Sequence, residues 1–108
     1  MADNVLTYEV EDGVAVVTID SPPVNALGHD VRKAIFEGFE RADADDAVSA
    51  VVLICEGNTF IAGADINEFA TGIQEPTFWT LMERMDEMKK LTVAAIHGTA
   101  LGGGLETA

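Results

Sequence analysis

The sequence predicts an α/β protein in which buried strands alternate with helices around one core. Residues 48–54 are almost all apolar and β-branched, which is typical of a strand covered on both faces in a parallel sheet. Apolar residues recur at helical spacing in two segments, 31–42 and 78–91. A length of 108 residues with 48% hydrophobic content suits one modest core. We therefore expect a single domain over residues 1–108.

The N-terminal segment predicts a β-hairpin. Two β-rich runs, 5–10 and 14–20, are separated by Glu11-Asp12-Gly13, where glycine can supply a positive φ. The prolines of Ser21-Pro22-Pro23 should end the second strand, because proline has no N–H to donate.

A long helix should follow the loop at residues 24–28. Its apolar positions recur at helical intervals and should face the core: Val31, Ala34, Ile35, Phe39 and Ala42. Its charged positions should lie on the opposite face: Arg32, Lys33, Glu37, Glu40 and Arg41.

The middle of the chain predicts a strand followed by a loop of small residues. Strand 48–54 follows an acidic turn at 43–46 and leads to a brief extended segment at 59–61. The loop Ala62-Gly63-Ala64-Asp65-Ile66 comes next. A helix should begin at or just after Asp65, because aspartate is a favoured N-cap residue.

The last third predicts a helix and a buried strand. Pro76 should lie in the first turn of a helix over 76–91, and Lys89 and Lys90 in its last turn, where cations complement the helix dipole. The apolar run at 93–96 should form a buried strand. Three glycines follow it at the start of a further helix: Gly102, Gly103 and Gly104.

The two small-residue loops, 62–65 and 98–104, each leave the end of a predicted strand. Ligands of open α/β sheets bind beyond the carboxyl ends of strands, so the loops could converge on one ligand. One backbone N–H from each would make a two-donor oxyanion hole. Glu106, in the first helical turn, could place a carboxylate that handles water. Each loop alone also has a plain alternative: a turn for the glycines, and an N-cap for Asp65.

The sequence gives weaker support for other kinds of functional site. Neither loop has the spacing of a dinucleotide or P-loop fingerprint. Cys55, the only cysteine, is expected to be a small buried hydrophobic residue rather than a nucleophile. His29 and His97 lack metal-ligand spacing, and a structural role is expected for His97. We expect no metal site.

The composition narrows the possible partners. Asp and Glu outnumber Lys and Arg by 19 to 6, giving a formal charge of −13, which argues against nucleic acid and anionic membranes. A small anionic ligand remains compatible with backbone N–H groups. One cysteine allows no internal disulfide, and neither a secretory signal nor an apolar run of about 20 residues is visible. We expect a soluble cytoplasmic protein.

Three motifs in order resemble the enoyl-CoA hydratase (crotonase) family. They are Pro23-Val24-Asn25-Ala26-Leu27, Phe60-Ile61-Ala62-Gly63-Ala64-Asp65-Ile66, and the segment 94–106, which contains Ile96-His97-Gly98-Thr99-Ala100-Leu101-Gly102-Gly103-Gly104-Leu105-Glu106. The Pro-Pro-Val-Asn-Ala form of the first motif looks most like the hydratase portion of bifunctional enzymes that also carry a 3-hydroxyacyl-CoA dehydrogenase domain.

The resemblance implies a crotonase-like (ClpP/crotonase) spiral of ββα units. Residues 1–108 would form the N-terminal portion of one such domain, truncated at the C-terminal side. The implied activity is hydration of 2-enoyl-CoA thioesters to 3-hydroxyacyl-CoA, as in fatty acid β-oxidation. The alternatives are another acyl-CoA enzyme of the family, an isomerase or CoA hydrolase, or a non-catalytic interaction fragment.

The resemblance also implies roles for particular residues. The N–H groups of Ala64 and Gly103 would hold the thioester oxygen, and Glu106 would activate the water. The walls around the bound coenzyme A would comprise two sets: Ala62, Asp65 and Ile66 on one side, and Val24, Ala26 and Leu27 on the other. Coenzyme A enters as a thioester substrate, so no separate cofactor is expected.

Departures from the family pattern limit these expectations. The family's second catalytic glutamate lies in a later segment than these 108 residues, and Thr107 stands where the family usually has leucine. The chain alone should therefore be a weak or inactive hydratase. We expect it to act as a homo-oligomer, a trimer or hexamer as in the family, or as part of a longer multifunctional chain.

Overall fold

A computed structural model describes residues 5–108. The elements of the described residues follow in this order: β1 (Leu6–Glu11), β2 (Val14–Ile19), α1 (His29–Ala44), β3 (Ala50–Cys55), β4 (Thr59–Ile61), α2 (Glu68–Thr71), α3 (Phe78–Asp86), β5 (Leu91–Ala95), β6 (Thr99–Ala100) and α4 (Gly103–Thr107). None of these helices combines the length and apolar character needed to cross a bilayer.

The main sheet has the strand order β1-β2-β3-β5. Strands β1 and β2 are antiparallel, whereas β2, β3 and β5 are parallel. Asp12 and Gly13 both have positive φ, 52° and 82°, and form the two-residue turn between β1 and β2. The predicted hairpin and the predicted parallel sheet are both confirmed.

The core lies between this sheet and α1. Alternate residues of β2 and β3 are buried there, among them Val17 and Leu53, and Phe39 of α1 is 1% exposed. Gly38 allows the helix to lie close to β2, because a Cβ at this position would be 3.0 Å from a methyl group of Val17.

The prediction that strand 48–54 is buried on both faces is wrong for the described residues. Val52 and Ile54 of β3 are only partly buried, whereas Val51 and Leu53 are fully buried. The reason is that α1, with α3 packed on it, covers one face of the sheet.

The prediction of a buried strand at 93–96 is also wrong. Strand β5 is an edge of the described sheet and pairs only with β3. Leu91 is 68% exposed and Val93 46% exposed. The apolar run therefore predicted the strand correctly but not its exposure. Exposure depends on whether the strand lies at the edge of the sheet, and that depends on strand order.

Two predicted helix boundaries need correction. Helix α3 begins at Phe78, with Thr77 as N-cap accepting the N–H of Thr80 at 3.2 Å, so Pro76 precedes the helix. It ends at Asp86, before Lys89 and Lys90. The Nζ of Lys90 instead donates to the carbonyl oxygen of Ala42 at 2.8 Å, at the end of α1.

Candidate active site

Strands β4 and β6 bring the two small-residue loops side by side. They pair in parallel, and the N–H of Leu101 donates to the carbonyl oxygen of Ile61 at 3.0 Å. Gly104 at the start of α4 meets the same carbonyl, because a Cβ there would lie 2.0 Å from that oxygen. Only glycine permits this approach, so the beginning of α4 is held against the end of β4.

The segment 24–27 joins the first of these loops from the other side. The N–H of Ala62 donates to the carbonyl oxygen of Val24 at 3.2 Å, and the N–H of Leu27 donates to that of Gly63 at 2.7 Å. Leu27 and Ala64 form an isolated parallel bridge. All three motif segments of the sequence therefore meet in one place.

Asn25 holds this junction together. Its side chain is buried and its Nδ2 donates to the carbonyl oxygens of Glu56 and Thr59, at 3.0 and 2.8 Å. Its Oδ1 accepts the N–H of Ser21 at 2.8 Å. Its φ of 51° is one that asparagine tolerates better than most residues. Sequence analysis gave Asn25 no role, although an asparagine between apolar residues of a loop was a usable signal.

The two predicted oxyanion donors lie at one cavity. Ala64 and Gly103 both line a cavity of about 420 Å³, and Glu106 lines it with them. The N–H groups of Ala64 and Gly103 have no acceptor among residues 5–108. Gly103 is the first residue of α4, where helical geometry leaves N–H groups unpaired and partly positive. Two residues whose N–H groups have no acceptor among the described residues therefore line the same cavity.

Glu106 lies in the first turn of α4, as predicted, and its N–H donates to the carbonyl oxygen of Gly102 at 3.1 Å. Its side chain is exposed among the described residues. Thr107 is buried instead, and its Oγ1 donates to the carbonyl oxygen of Gly103 at 2.7 Å. The Thr107 hydroxyl thus bonds to the backbone of the first residue of α4.

The walls of this cavity are mainly apolar. Leu27 and Phe78 approach Gly103, since a Cβ there would be 3.4 Å from a Leu27 methyl group and 3.5 Å from the Phe78 ring. Phe78 packs edge-to-face on Trp79, with ring centroids 5.1 Å apart. Phe69 and Trp79 remain largely exposed at the opening. Such a cavity suits a ligand with an apolar portion next to a polar acceptor.

A second cavity of about 580 Å³ lies beside the first. Val24 and Ala26 line it, and Asp65 lines both cavities. Of the other predicted wall residues, Leu27 lines the first cavity, whereas Ala62 and Ile66 line neither. Ile66 is 77% exposed, and the N–H of Ala62 is bonded to Val24.

The segment after Asp65 differs from its prediction. Helix α2 begins at Glu68 rather than at Asp65, and the Oδ1 of Asp65 accepts the N–H of Asn67 at 3.0 Å in a turn before the helix. Competition from this local side-chain hydrogen bond delays the helix by three residues.

Arg32 was placed on the outer face of its helix by sequence periodicity, and that prediction is wrong. It is 3% exposed and forms a two-point ion pair with Glu68, with N–O distances of 2.6 and 2.7 Å. Both residues line the smaller cavity. The hydrogen bonds from Arg32 hold the pKa of the Glu68 carboxyl below its usual value. Nothing in the helical spacing distinguishes Arg32 from the exposed Lys33.

The remaining candidates are structural. Burial raises the pKa of the Cys55 thiol to about 12, which leaves almost no thiolate for nucleophilic attack at neutral pH. A ring nitrogen of His97 donates to the carbonyl oxygen of Gly57 at 2.5 Å, and one of His29 donates to that of Glu75 at 2.8 Å. The structural interpretations of Cys55 and His97 agree with these contacts.

The chain is thus an α/β protein in which Ala64, Gly103 and Glu106 line one cavity. The sequence profile of the enoyl-CoA hydratase/isomerase family matches residues 9–108, and the chain belongs to that family. The resemblance seen in the three motifs is thus confirmed, as is the crotonase-type fold.

Two relatives illustrate the similarity in sequence. The peroxisomal bifunctional enzyme of Danio rerio is 47% identical over 102 residues, which cover 94% of this chain and 14% of that protein. The protein of Bacillus subtilis (strain 168) named "Probable enoyl-CoA hydratase" is 38% identical, with 97% of this chain and 43% of that protein covered. The chain therefore spans less than half the length of these relatives.

Two solved structures illustrate the similarity in fold. DspI of Pseudomonas aeruginosa superimposes with a TM-score of 0.85 at 34% identity, covering 96% of this chain and 46% of that one. An enoyl-CoA hydratase/isomerase family protein from Silicibacter pomeroyi gives a TM-score of 0.82 at 28% identity, covering 94% and 47%.

Proposed function

We propose that this chain provides the thioester-binding part of an enoyl-CoA hydratase, which adds water to a 2-enoyl-CoA to give a 3-hydroxyacyl-CoA. The observation that supports the proposal is the shared cavity of Ala64, Gly103 and Glu106. Two backbone donors without an acceptor among the described residues stand beside a carboxylate and an apolar wall. Family membership makes an acyl-CoA the natural ligand.

In the proposed reaction the thioester oxygen accepts hydrogen bonds from the N–H groups of Ala64 and Gly103. The oxygen of water bonds to C3, and the π electrons of the C2–C3 double bond move toward the thioester oxygen. The two donors stabilise the enolate that forms. The Glu106 carboxylate accepts a proton from the attacking water. A proton then bonds to C2 and restores the thioester.

The proton for C2 is not assigned to a residue of this chain. The family resemblance gives that role to a second glutamate, which these 108 residues do not contain. The chain by itself should therefore bind thioesters better than it hydrates them.

The second cavity is proposed to hold part of the coenzyme A. It meets the first cavity at Asp65, and Val24 and Ala26 form part of its wall. The thioester would bridge the two cavities, with its acyl chain on the side of Phe69 and Phe78. Coenzyme A is part of the substrate in this proposal, and the proposed reaction uses no separate cofactor.

Hydration is preferred over double-bond isomerisation or CoA hydrolysis because Glu106 lines the same cavity as the donors. The resemblance indicates that many isomerases of the family lack a glutamate at this position. A hydrolase would attack the thioester carbon rather than C3, so product analysis separates the two reactions.

A non-catalytic interaction role has one observation in its favour. Large apolar side chains are exposed on β5 and at α4: Leu91, Val93, Leu101 and Leu105. Exposed apolar surface of this kind favours association. Assembly as a homo-oligomer, or as part of a multifunctional chain, is proposed on the same ground. Light scattering after size-exclusion chromatography would distinguish a monomer from an oligomer.

The cellular location also remains a proposal. The sequence suggests the cytoplasm, whereas the relatives from Danio rerio and Arabidopsis thaliana are named as peroxisomal enzymes. Fractionation of cells that produce the native protein would decide between the two compartments.

The first test is thioester binding. Isothermal titration should show that butyryl-CoA, a saturated and unreactive thioester, binds the chain more tightly than free coenzyme A. An amide-to-ester replacement of the peptide between Gly102 and Gly103 removes one donor without adding a side chain. It should weaken the preference for the thioester. Equal binding of the two ligands by the unaltered chain would contradict the proposal.

The second test is catalysis. In a chain extended through the second glutamate, replacing Glu106 by Gln should lower the rate of crotonyl-CoA hydration by about 10²–10⁴-fold, the usual contribution of a general base. A matched Glu83→Gln variant, on the exposed side of α3, should retain full activity. A folded but inactive extended chain would contradict the hydratase assignment and leave the thioester-binding result to stand separately.

A further inference from the structure

Arg32 donates a hydrogen bond from every N–H group of its guanidinium. Its Nε donates to the carbonyl oxygen of Pro76 at 2.6 Å, and its terminal nitrogens donate to those of Leu27 and Gln74 at 3.1 and 2.9 Å. The remaining two bonds form the ion pair with Glu68. Because a guanidinium has five donors in a fixed planar arrangement, this environment satisfies it completely.

Two of the residues that accept these bonds, Leu27 and Glu68, line the same cavity as Ala64, whereas Gln74 lines the second cavity. The carbonyl oxygen of Leu27 belongs to the residue that bridges to Ala64. Glu68 lies in α2, and its Oε2 also accepts the N–H of Gln74 at 3.2 Å. Pro76 precedes the helix that carries Phe78. One buried guanidinium thus joins helix α1 to three parts of the cavity wall.

The first part of wall segment 67–77, residues 67–74, has few other contacts that hold it. Helix α2 has only four residues and buries none of them, and Phe69 and Ile73 are 65% and 52% exposed. Helices of this length are not stable on their own in water. The last part, residues 75–77, is also bonded to the Thr80 side chain of α3 and to His29. The order of residues 67–74 therefore depends largely on Arg32.

We propose that Arg32 is a positioning residue for the acyl-thioester: by holding Glu68, Gln74 and Pro76 it orders residues 67–74 of the cavity wall and thereby sets thioester affinity. The inference rests on the proposed function for its ligand. It goes beyond that function by assigning a determinant of affinity to a residue outside the three family motifs.

The test compares two pairs of variants. Arg32→Lys keeps the charge but loses the two-point geometry, and Arg84→Lys is its control, because Arg84 pairs with Asp43 at 3.1 Å and lines none of the cavities described above. The double variant Arg32→Met with Glu68→Leu removes both partners of the ion pair at once. Replacing a buried ion pair by apolar residues of similar size often preserves stability, so this variant should fold even if a single replacement does not.

Two measurements are made on each folded variant. Hydrogen exchange should be at least about tenfold faster for the amides of residues 68–75 in both Arg32 variants, with the amides of β2 and β3 unchanged. The dissociation constant of butyryl-CoA should rise by about tenfold or more, whereas that of free coenzyme A should change less. The Arg84→Lys variant should match the unaltered chain in both measurements.

The outcomes separate this inference from the proposed function. If the unaltered chain binds butyryl-CoA and the double variant binds it equally well, the positioning role of Arg32 is wrong. If the unaltered chain binds no thioester, the proposed function fails, and the exchange rates of residues 68–75 still decide whether Arg32 orders the wall. Unchanged exchange in the double variant would overturn the inference in either case.

Discussion

The core under α1 and the wall segment 67–77 are stabilised in different ways. In the core, Val17, Leu53 and Phe39 are buried by alternation along strands and by helical spacing. In the wall segment, Phe69 and Ile73 are exposed, and the order of residues 67–74 comes mainly from polar contacts to Arg32. A region held by apolar burial resists local opening, whereas one held by a few hydrogen bonds can open without unfolding the rest.

The largest effect should come from the core. Replacing Phe39 by Ala should lower the free energy of unfolding by about 3–5 kcal/mol, because it removes a fully buried ring and leaves a cavity. Urea denaturation measures the loss, and Phe36→Ala, at a partly buried position, should cost less. A cost below about 1 kcal/mol for Phe39→Ala would mean that the helix–sheet interface is not the main core.

The junction of the three motif segments should show an intermediate effect. Asn25→Ala removes three hydrogen bonds and should cost about 1–3 kcal/mol, since it leaves partly buried backbone groups without partners. It should also weaken thioester binding, because Val24 and Leu27 lose their support. Asn58→Ala, at an exposed position, serves as the control and should leave both properties unchanged. Equal effects of the two variants would contradict the role given to Asn25.

The cavity wall should respond to acid before the core does. Arg32 lowers the pKa of Glu68 in the folded chain, so the stabilising contribution is complete above the unfolded value of about 4.3 and is lost as pH falls through the folded pKa. Hydrogen exchange of residues 68–75 should therefore accelerate in acid while β3 stays protected. The Glu68→Gln variant should lack this acid step. A simultaneous loss of protection in both regions would show that they open together.

The smallest structural change is expected at Cys55. With its pKa raised to about 12, the thiol should react with iodoacetamide at pH 8 only when the sheet opens. Labelling should therefore follow the unfolding equilibrium as urea is added. Fast labelling of the native chain, at the rate of a free thiol, would contradict the burial of β3.

The same contrast explains what sequence analysis could predict. Hydrophobic periodicity identified the hairpin, α1 and the parallel strands, because burial of apolar residues determines those elements. It missed the exposure of β5, which depends on which strand lies at the edge, and it misplaced the limits of α3, where Lys90 bonds to the end of α1.

The candidate site was likewise only partly predictable from the sequence. Ala64, Gly103 and Glu106, which the motifs grouped, line one cavity in the structure. Their loops lie together because glycine allows close backbone approaches such as that of Gly104 to Ile61. It could not identify Arg32, whose partners are backbone carbonyls 42 and 44 residues away as well as Glu68. Every residue has a backbone carbonyl group, so the sequence does not show which of them will accept a hydrogen bond from an arginine side chain.

We propose that the N–H groups of Ala64 and Gly103 hold one thioester oxygen. Isotope-edited infrared spectroscopy of butyryl-CoA that carries ¹³C at its thioester carbonyl tests this directly. The carbonyl band of the bound ligand should shift to lower frequency than in water, and the ester replacement at Gly103 should reverse part of the shift. A band at the same position in water, in the unaltered chain and in the ester variant would contradict this proposal.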